Sequence, residues 1–129
     1  MRHSYSLDHI ALLVRDLARS TAFYRDIMGF EPIERSGGIN VGWLTIGGID
    51  TIHLIEADFG KTHLTKDTHF ALRIADLDAF VADITEKGVS FCDWQGNEGK
   101  IGLHRKGFRQ VYVQDPDGYW VEVNDHGMA

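Results

Sequence analysis

Residues 9–17 read His-Ile-Ala-Leu-Leu-Val-Arg-Asp-Leu, and residues 69–77 read His-Phe-Ala-Leu-Arg-Ile-Ala-Asp-Leu. Both stretches fit the pattern His-x-Ala-Leu-x-aliphatic-x-Asp-Leu, and a helical pattern follows each of them. The repeat predicts a duplicated strand–helix unit. Because a histidine begins each copy, the duplication offers two equivalent imidazoles to a common centre, and a metal ion is the obvious occupant.

The remaining elements also follow one order in both halves, so the sequence predicts two βαβββ modules, at about 5–57 and 68–125, in a single domain spanning 1–129. This is an α+β pattern with no room for a doubly wound parallel sheet. In the first module we expect a strand at 6–14, a helix at 17–28 and strands near 31–35, 42–46 and 50–56. In the second we expect a strand at 68–74, a helix at 77–87, a strand at 89–92, a glycine-rich loop at 95–107 and strands near 108–114 and 119–124. A turn at 115–118, Asp-Pro-Asp-Gly, joins the last two strands.

Composition restricts the function classes. The chain has 129 residues, 43% hydrophobic content and a net charge of −6, which argues against nucleic acid or an anionic membrane as the main partner. A single cysteine, Cys92, allows no intrachain disulfide, and we interpret it as a packing residue. No apolar run approaches the length of a membrane span, and no signal peptide is visible. The expected location is therefore the cytoplasm.

The densest basic stretch, residues 100–109, holds four Lys or Arg residues and His104. The more ordinary interpretation is a solvated loop. The alternative is the rim of a pocket for an anionic substrate.

Strand parity selects the side chains that face inward. In the first repeat Ile10, Leu12 and Val14 share one face, so that face should pack on the helix and leave His9 on the inner side of a curved sheet. By the same test His69 faces inward in the second repeat. The last predicted strand of each module adds one more candidate, His53 between Ile52 and Leu54 and Glu122 between Val121 and Val123.

These four candidates suggest a metal site. A lone strand histidine is usually structural, but four inward candidates in duplicate are harder to dismiss, and a cation would remove the cost of burying Glu122 among aliphatic residues. Glu56 ranks below His53 because its parity is opposite and it lies near a strand end. We do not expect the other histidines to be ligands; they lie in loops or termini, at His3, His63, His104 and His126.

The chain resembles the vicinal oxygen chelate superfamily, which includes glyoxalase I, methylmalonyl-CoA epimerase, fosfomycin-resistance thiol transferases, extradiol dioxygenases and bleomycin-resistance proteins. The resemblance covers nearly the whole chain, and its strongest elements lie at 7–17, 23–30, 68–74 and 115–123. It implies paired βαβββ modules that form half-barrels around a metal. The metal ligands that it implies are His9, His53, His69 and Glu122.

Two departures separate the chain from glyoxalase I. The position of His53 is normally a glutamate there, and the arginine that holds glutathione is replaced by Leu13. Three imidazoles and one carboxylate suit zinc, nickel, iron, manganese or cobalt. The first hypothesis is a glyoxalase-like lyase or isomerase acting on a small oxygenated substrate or its thiol adduct, with Glu122 as ligand and catalytic proton shuttle.

The alternatives are an extradiol-type dioxygenase, in which His53 would be an acid–base group, a fosfomycin-type thiol transferase, and a metal-free binding protein of the bleomycin-resistance class. Typical extradiol enzymes have two more modules, and the intact ligand set counts against a binding protein. A homodimer is expected, with the barrel closed either within a chain or across the dimer.

Overall fold

The computed structural model describes residues 3–35 and 37–128. Its contacts divide the chain into two compact units, residues 1–62 and 63–129, which are described separately below. Among the described residues no helix is long and apolar enough to cross a membrane.

The first unit is a βαβββ module, as predicted. Its strands are β1 (His9–Val14), β2 (Glu31–Ile33), β3 (Val41–Thr45) and β4 (Thr51–Glu56), in the sheet order β1-β4-β3-β2. The first and last strands are parallel neighbours, with Ala11 opposite His53. Leu12 and Val14 are buried on one face, whereas His9, which has the opposite parity, is exposed.

The helix of this module is shorter than predicted. Asp16 caps the N-terminus of helix α1 (Leu17–Ala22), because its carboxylate accepts a hydrogen bond from the backbone N–H of Arg19 at 3.0 Å. A π-helical turn, Phe23–Ile27, then replaces the α-helix over the rest of the predicted range. This wider turn accompanies the burial of two consecutive aromatic residues, Phe23 and Tyr24, which the 3.6-residue period does not anticipate.

The second unit repeats the order. Its strands are β5 (His69–Arg73), β6 (Gly102–Leu103), β7 (Arg109–Gln114) and β8 (Trp120–Asn124), in the sheet order β5-β8-β7-β6, and α2 (Leu77–Glu86) follows β5. Strands β5 and β8 are parallel, with Ala71 opposite Glu122. The predicted turn before β8 forms, since the N–H of Gly118 donates to the carbonyl of Asp115 at 3.1 Å.

Two predictions in this unit are wrong. The expected strand at 89–92 is reduced to isolated bridges of Cys92 with Glu98 and Tyr112. The chain turns there because the Asp93 carboxylate accepts two hydrogen bonds from Asn97, at 2.8 and 2.9 Å. The predicted loop at 95–107 contains the two-residue strand β6, which pairs with β7.

Candidate metal centre and adjoining cleft

The two modules place their candidate ligands at equivalent register positions. Each first strand begins with a histidine, His9 or His69, and an alanine two residues later lies opposite the second candidate, His53 or Glu122. Among the described residues, no three His, Cys, Asp or Glu side chains form an arrangement that could hold a metal ion. The structure therefore presents two pairs, one in each unit.

In the first pair, the rings of His9 and His53 have their centroids 6.0 Å apart. The Nδ1 atom of His9 lies 2.6 Å from the Asp8 carboxylate. A carboxylate at this nitrogen fixes the orientation of the ring and leaves Nε2 available, as is common for histidines that bind metals.

His53 is half-buried and stacks on Trp43, with centroids 3.8 Å apart and planes inclined by 8°. The guanidinium of Arg35 lies 4.0 Å from the centroid of the Trp43 ring and donates to the hydroxyl of Thr51 at 3.3 Å. Burial, and then the positive charges of His9 and Arg35, lower the pKa of His53. These contacts favour a neutral imidazole, the form that binds a metal.

At the first pair, two buried side-chain nitrogens have no hydrogen-bond partner among the described residues: Nε2 of His53 and Nε1 of Trp43, which stacks on it. A Cβ added to Gly37 would lie 3.8 Å from the first and 3.7 Å from the second, so both nitrogens lie close to this glycine. Buried polar atoms are normally satisfied. An unsatisfied imidazole nitrogen on a predicted inward face therefore fits a role as a metal ligand.

In the second pair, Nε2 of His69 lies 3.2 Å from Oε1 of Glu122. The other ring nitrogen, Nδ1, is 2.7 Å from the carbonyl of Lys66, which can only accept a hydrogen bond, so Nδ1 carries a hydrogen. Nε2 is then the ring nitrogen that lies near the carboxylate oxygen, and the two atoms are close enough to bind one cation together. This pair also fits a metal.

Glu122 is buried, and each of its carboxylate oxygens accepts a hydrogen bond from a side chain. The hydroxyl of Tyr112 donates to Oε1 at 2.9 Å, and the side-chain amide of Asn124 donates to Oε2 at 2.6 Å. Burial, and then the Glu122 carboxylate, raise the pKa of Tyr112 well above its usual value, which keeps its hydroxyl protonated as a donor. The carboxylate thus has a fixed orientation toward His69.

The sequence analysis missed several residues that support these pairs: Asp8, Arg35, Trp43, Tyr112 and Asn124. Parity could have identified Tyr112, because it alternates with the buried Val111 and Val113. Glu56, ranked below His53, has a structural role, since its carboxylate accepts a hydrogen bond from the backbone N–H of Leu17 at 2.7 Å at the start of α1.

A cleft of about 500 Å³ adjoins the second pair. His69, Tyr112 and Glu122 lie on its lining together with Trp94 and Arg105. This volume is within the usual range for sites that bind small molecules. Two arginines of the basic stretch 100–109 have different surroundings. Arg105 lines the cleft, whereas Arg109 forms ion pairs with Asp78 and Asp125.

The sequence and fold together identify the family. A sequence model of the glyoxalase/bleomycin resistance protein/dioxygenase superfamily matches residues 6–123, and the chain belongs to this superfamily. Among curated proteins, it is 30% identical to glyoxylase I 4 of Arabidopsis thaliana over 94% of this chain and 71% of that protein. It is 26% identical to the mitochondrial methylmalonyl-CoA epimerase of Mus musculus, over 91% of this chain and 71% of that protein.

Among solved structures, it is similar to the fosfomycin resistance protein FosX from Listeria monocytogenes. The TM-score is 0.73 and the sequence identity 26%, over 95% of this chain and 93% of that one. Relatives of this kind support a general glyoxalase-like role as an enzyme of the superfamily.

Proposed function

We propose that this protein is a metal-dependent lyase or isomerase of the glyoxalase type, which acts on a small substrate, or its thiol adduct, bearing two oxygens on adjacent carbons. The observation that supports it best is the matched placement of His9 with His53 and of His69 with Glu122 at equivalent positions of two modules. Similarity to a glyoxylase and to an epimerase favours lyase or isomerase chemistry.

The proposed ligands are His9 and His53 of the first unit and His69 and Glu122 of the second, and the proposed assembly is a homodimer. The donor set suits zinc, nickel, iron, manganese or cobalt. When bound, such an ion supplies Lewis acidity, which stabilises negative charge developing on the substrate oxygens.

The chain's own residues would then move the proton. Glu122 accepts a proton from one substrate carbon and returns it to the adjacent carbon, acting as a general base and then a general acid. The hydrogen bonds from Tyr112 and Asn124 orient its carboxylate during both transfers.

A fosfomycin-type thiol transferase is the second candidate, favoured by the likeness to FosX and by the basic side chain of Arg105 on the cleft. One experiment separates the two. Purified protein is reconstituted with each of the five metals and assayed with methylglyoxal–thiol adducts, fosfomycin plus thiols, and catechols. Turnover of an adduct by the metal-loaded protein, lost after chelation, supports the proposal. Turnover of fosfomycin or of a catechol, with no turnover of any adduct, would contradict the proposal.

A further inference from the structure

The cleft beside His69 and Glu122 has an aromatic wall. The rings of Trp94 and Tyr112 have their centroids 5.4 Å apart, and Trp94 lies 6.0 Å from His69. Trp94 is 41% exposed, and Leu103, which also lines the cleft, is 74% exposed. Apolar and aromatic area left open beside a reactive centre suits a flat apolar ligand.

The cleft also has a cation without a partner. Arg105 lines the cleft, and in the part of the chain that the structure describes its side chain forms neither an ion pair nor a hydrogen bond. Arg109, four residues later, is instead held by Asp78 and Asp125. The carboxylate of Glu122 is engaged by Tyr112 and Asn124. Arg105 is therefore the guanidinium free to bind an anion from this cleft.

We propose that the substrate has a planar aromatic or conjugated body, which contacts Trp94, and an anionic oxygen group, which binds Arg105. A guanidinium binds a carboxylate or phosphonate through paired charge-assisted hydrogen bonds. The inference rests on the proposed function for the placement of the substrate's vicinal oxygens near His69 and Glu122. Recognition by Trp94 and Arg105 concerns the cleft itself and can be measured without turnover.

Three small probes separate the two features: mandelate is aromatic and anionic with adjacent oxygens, 1-phenylethane-1,2-diol is aromatic but neutral, and lactate is anionic but not aromatic. Dissociation constants are measured by calorimetry on the full chain, both treated with chelator and loaded with metal. We expect mandelate to bind about tenfold more tightly than the diol, the worth of one hydrogen bond between charged groups, and about tenfold more tightly than lactate, the worth of the aromatic contact with Trp94.

Two variants assign this preference to residues. Arg105→Met should bring mandelate and the diol to about equal affinity in the chelated protein, where no metal attracts the carboxylate. Lys106→Met makes the same charge change beside the cleft but not on its lining, and should keep the preference. Trp94→Leu should remove the preference for mandelate over lactate, whereas Trp94→Phe should retain most of it.

Equal affinities in the wild-type protein, or a preference that survives Arg105→Met, would overturn the inference. An equal loss in Lys106→Met would also overturn it, because the effect would then be long-range charge rather than contact. An Arg105-dependent preference in a protein that binds no metal would leave the inference standing and refute the proposed function. Metal-dependent turnover without a preference for mandelate would support the proposed function and overturn the inference.

Discussion

The hydroxyl of Tyr112 donates a 2.9 Å hydrogen bond to Glu122, its register partner across β7 and β8. The equivalent register pair in the first module is Trp43 and His53, which stack instead of forming a hydrogen bond. In each module an aromatic residue of the third strand therefore positions the candidate ligand on the fourth. The contacts differ because Glu122 is a buried carboxylate, which accepts a hydrogen bond, whereas His53 is an imidazole, which stacks on a ring.

Removal of one histidine should remove the metal. Protein purified without chelator is expected to contain about one divalent ion per site, measured by elemental analysis, and His69→Ala should lose it because Nε2 of His69 faces Glu122. His63→Ala removes an exposed loop histidine and should have no effect. Stoichiometric metal that survives the double variant of His9 and His69 would refute the ligand assignment.

Glu122→Gln should separate binding from catalysis. The amide oxygen can still coordinate, so much of the metal should be retained, while turnover should fall by roughly 10² to 10⁴ because the amide cannot take up the proton. Glu86→Gln, at the exposed end of α2, is the matched control. Metal content and turnover are measured on the same preparations. Undiminished turnover with metal bound would mean that another residue is the base.

Tyr112→Phe tests the positioning of Glu122. The ring contacts remain, but Oε1 loses a donor, and we expect a loss of about 1–3 kcal/mol in the free energy of unfolding. Turnover should fall with little change in KM, since the hydroxyl orients the base without contacting the substrate. Tyr5→Phe, which alters a tyrosine that is 84% exposed, should change neither quantity. A change in KM alone would point to a substrate contact instead.

Asp93 should make stability depend on acid pH. Hydrogen bonds from the side chain and then the backbone of Asn97 lower its pKa below 3.8, although burial acts in the opposite direction. A lowered pKa means that the folded state favours the carboxylate. Its contribution is therefore complete above the unfolded value and is lost as the pH falls below 3.8 through the folded value.

The measurement is denaturant unfolding of the wild type and Asp93→Asn between neutral pH and pH 3. The stability gap between them should be constant near neutrality and narrow under acid conditions. Asp50→Asn, at an exposed residue between β3 and β4, controls for the change in net charge. If the difference in stability between the two proteins grew as the pH fell, the effect of burial on the pKa of Asp93 would outweigh that of the hydrogen bonds from Asn97.

A homodimer is expected at micromolar concentration by light scattering. In the sheets that the structure describes, β1 and β2 are the edge strands of one and β5 and β6 are those of the other, and sheet edges favour association with another chain. A protein that stays strictly monomeric would exclude ligands shared between copies.

The sequence alone determined the duplicated βαβββ order and which residues share a face. Both follow from local rules, since side chains alternate along a strand and Asp16 and Asp76 cap the helices that follow the two repeats. The same parity selected His9, His53, His69 and Glu122. The π-helical turn and the missing strand at 89–92 could not be predicted, because they depend on the burial of Phe23 and Tyr24 and on the bonds between Asp93 and Asn97.

Only the tertiary structure decided the surroundings of those four residues. Strand pairing set Tyr112 opposite Glu122 and Trp43 opposite His53, although each pair is ten residues apart in the chain. The tertiary structure also gave two arginines of one basic stretch different surroundings, since Arg105 lines the cleft and Arg109 forms ion pairs. Local pattern specifies which face a side chain takes, whereas its partners depend on register and loop path, which are set by packing across the whole sheet.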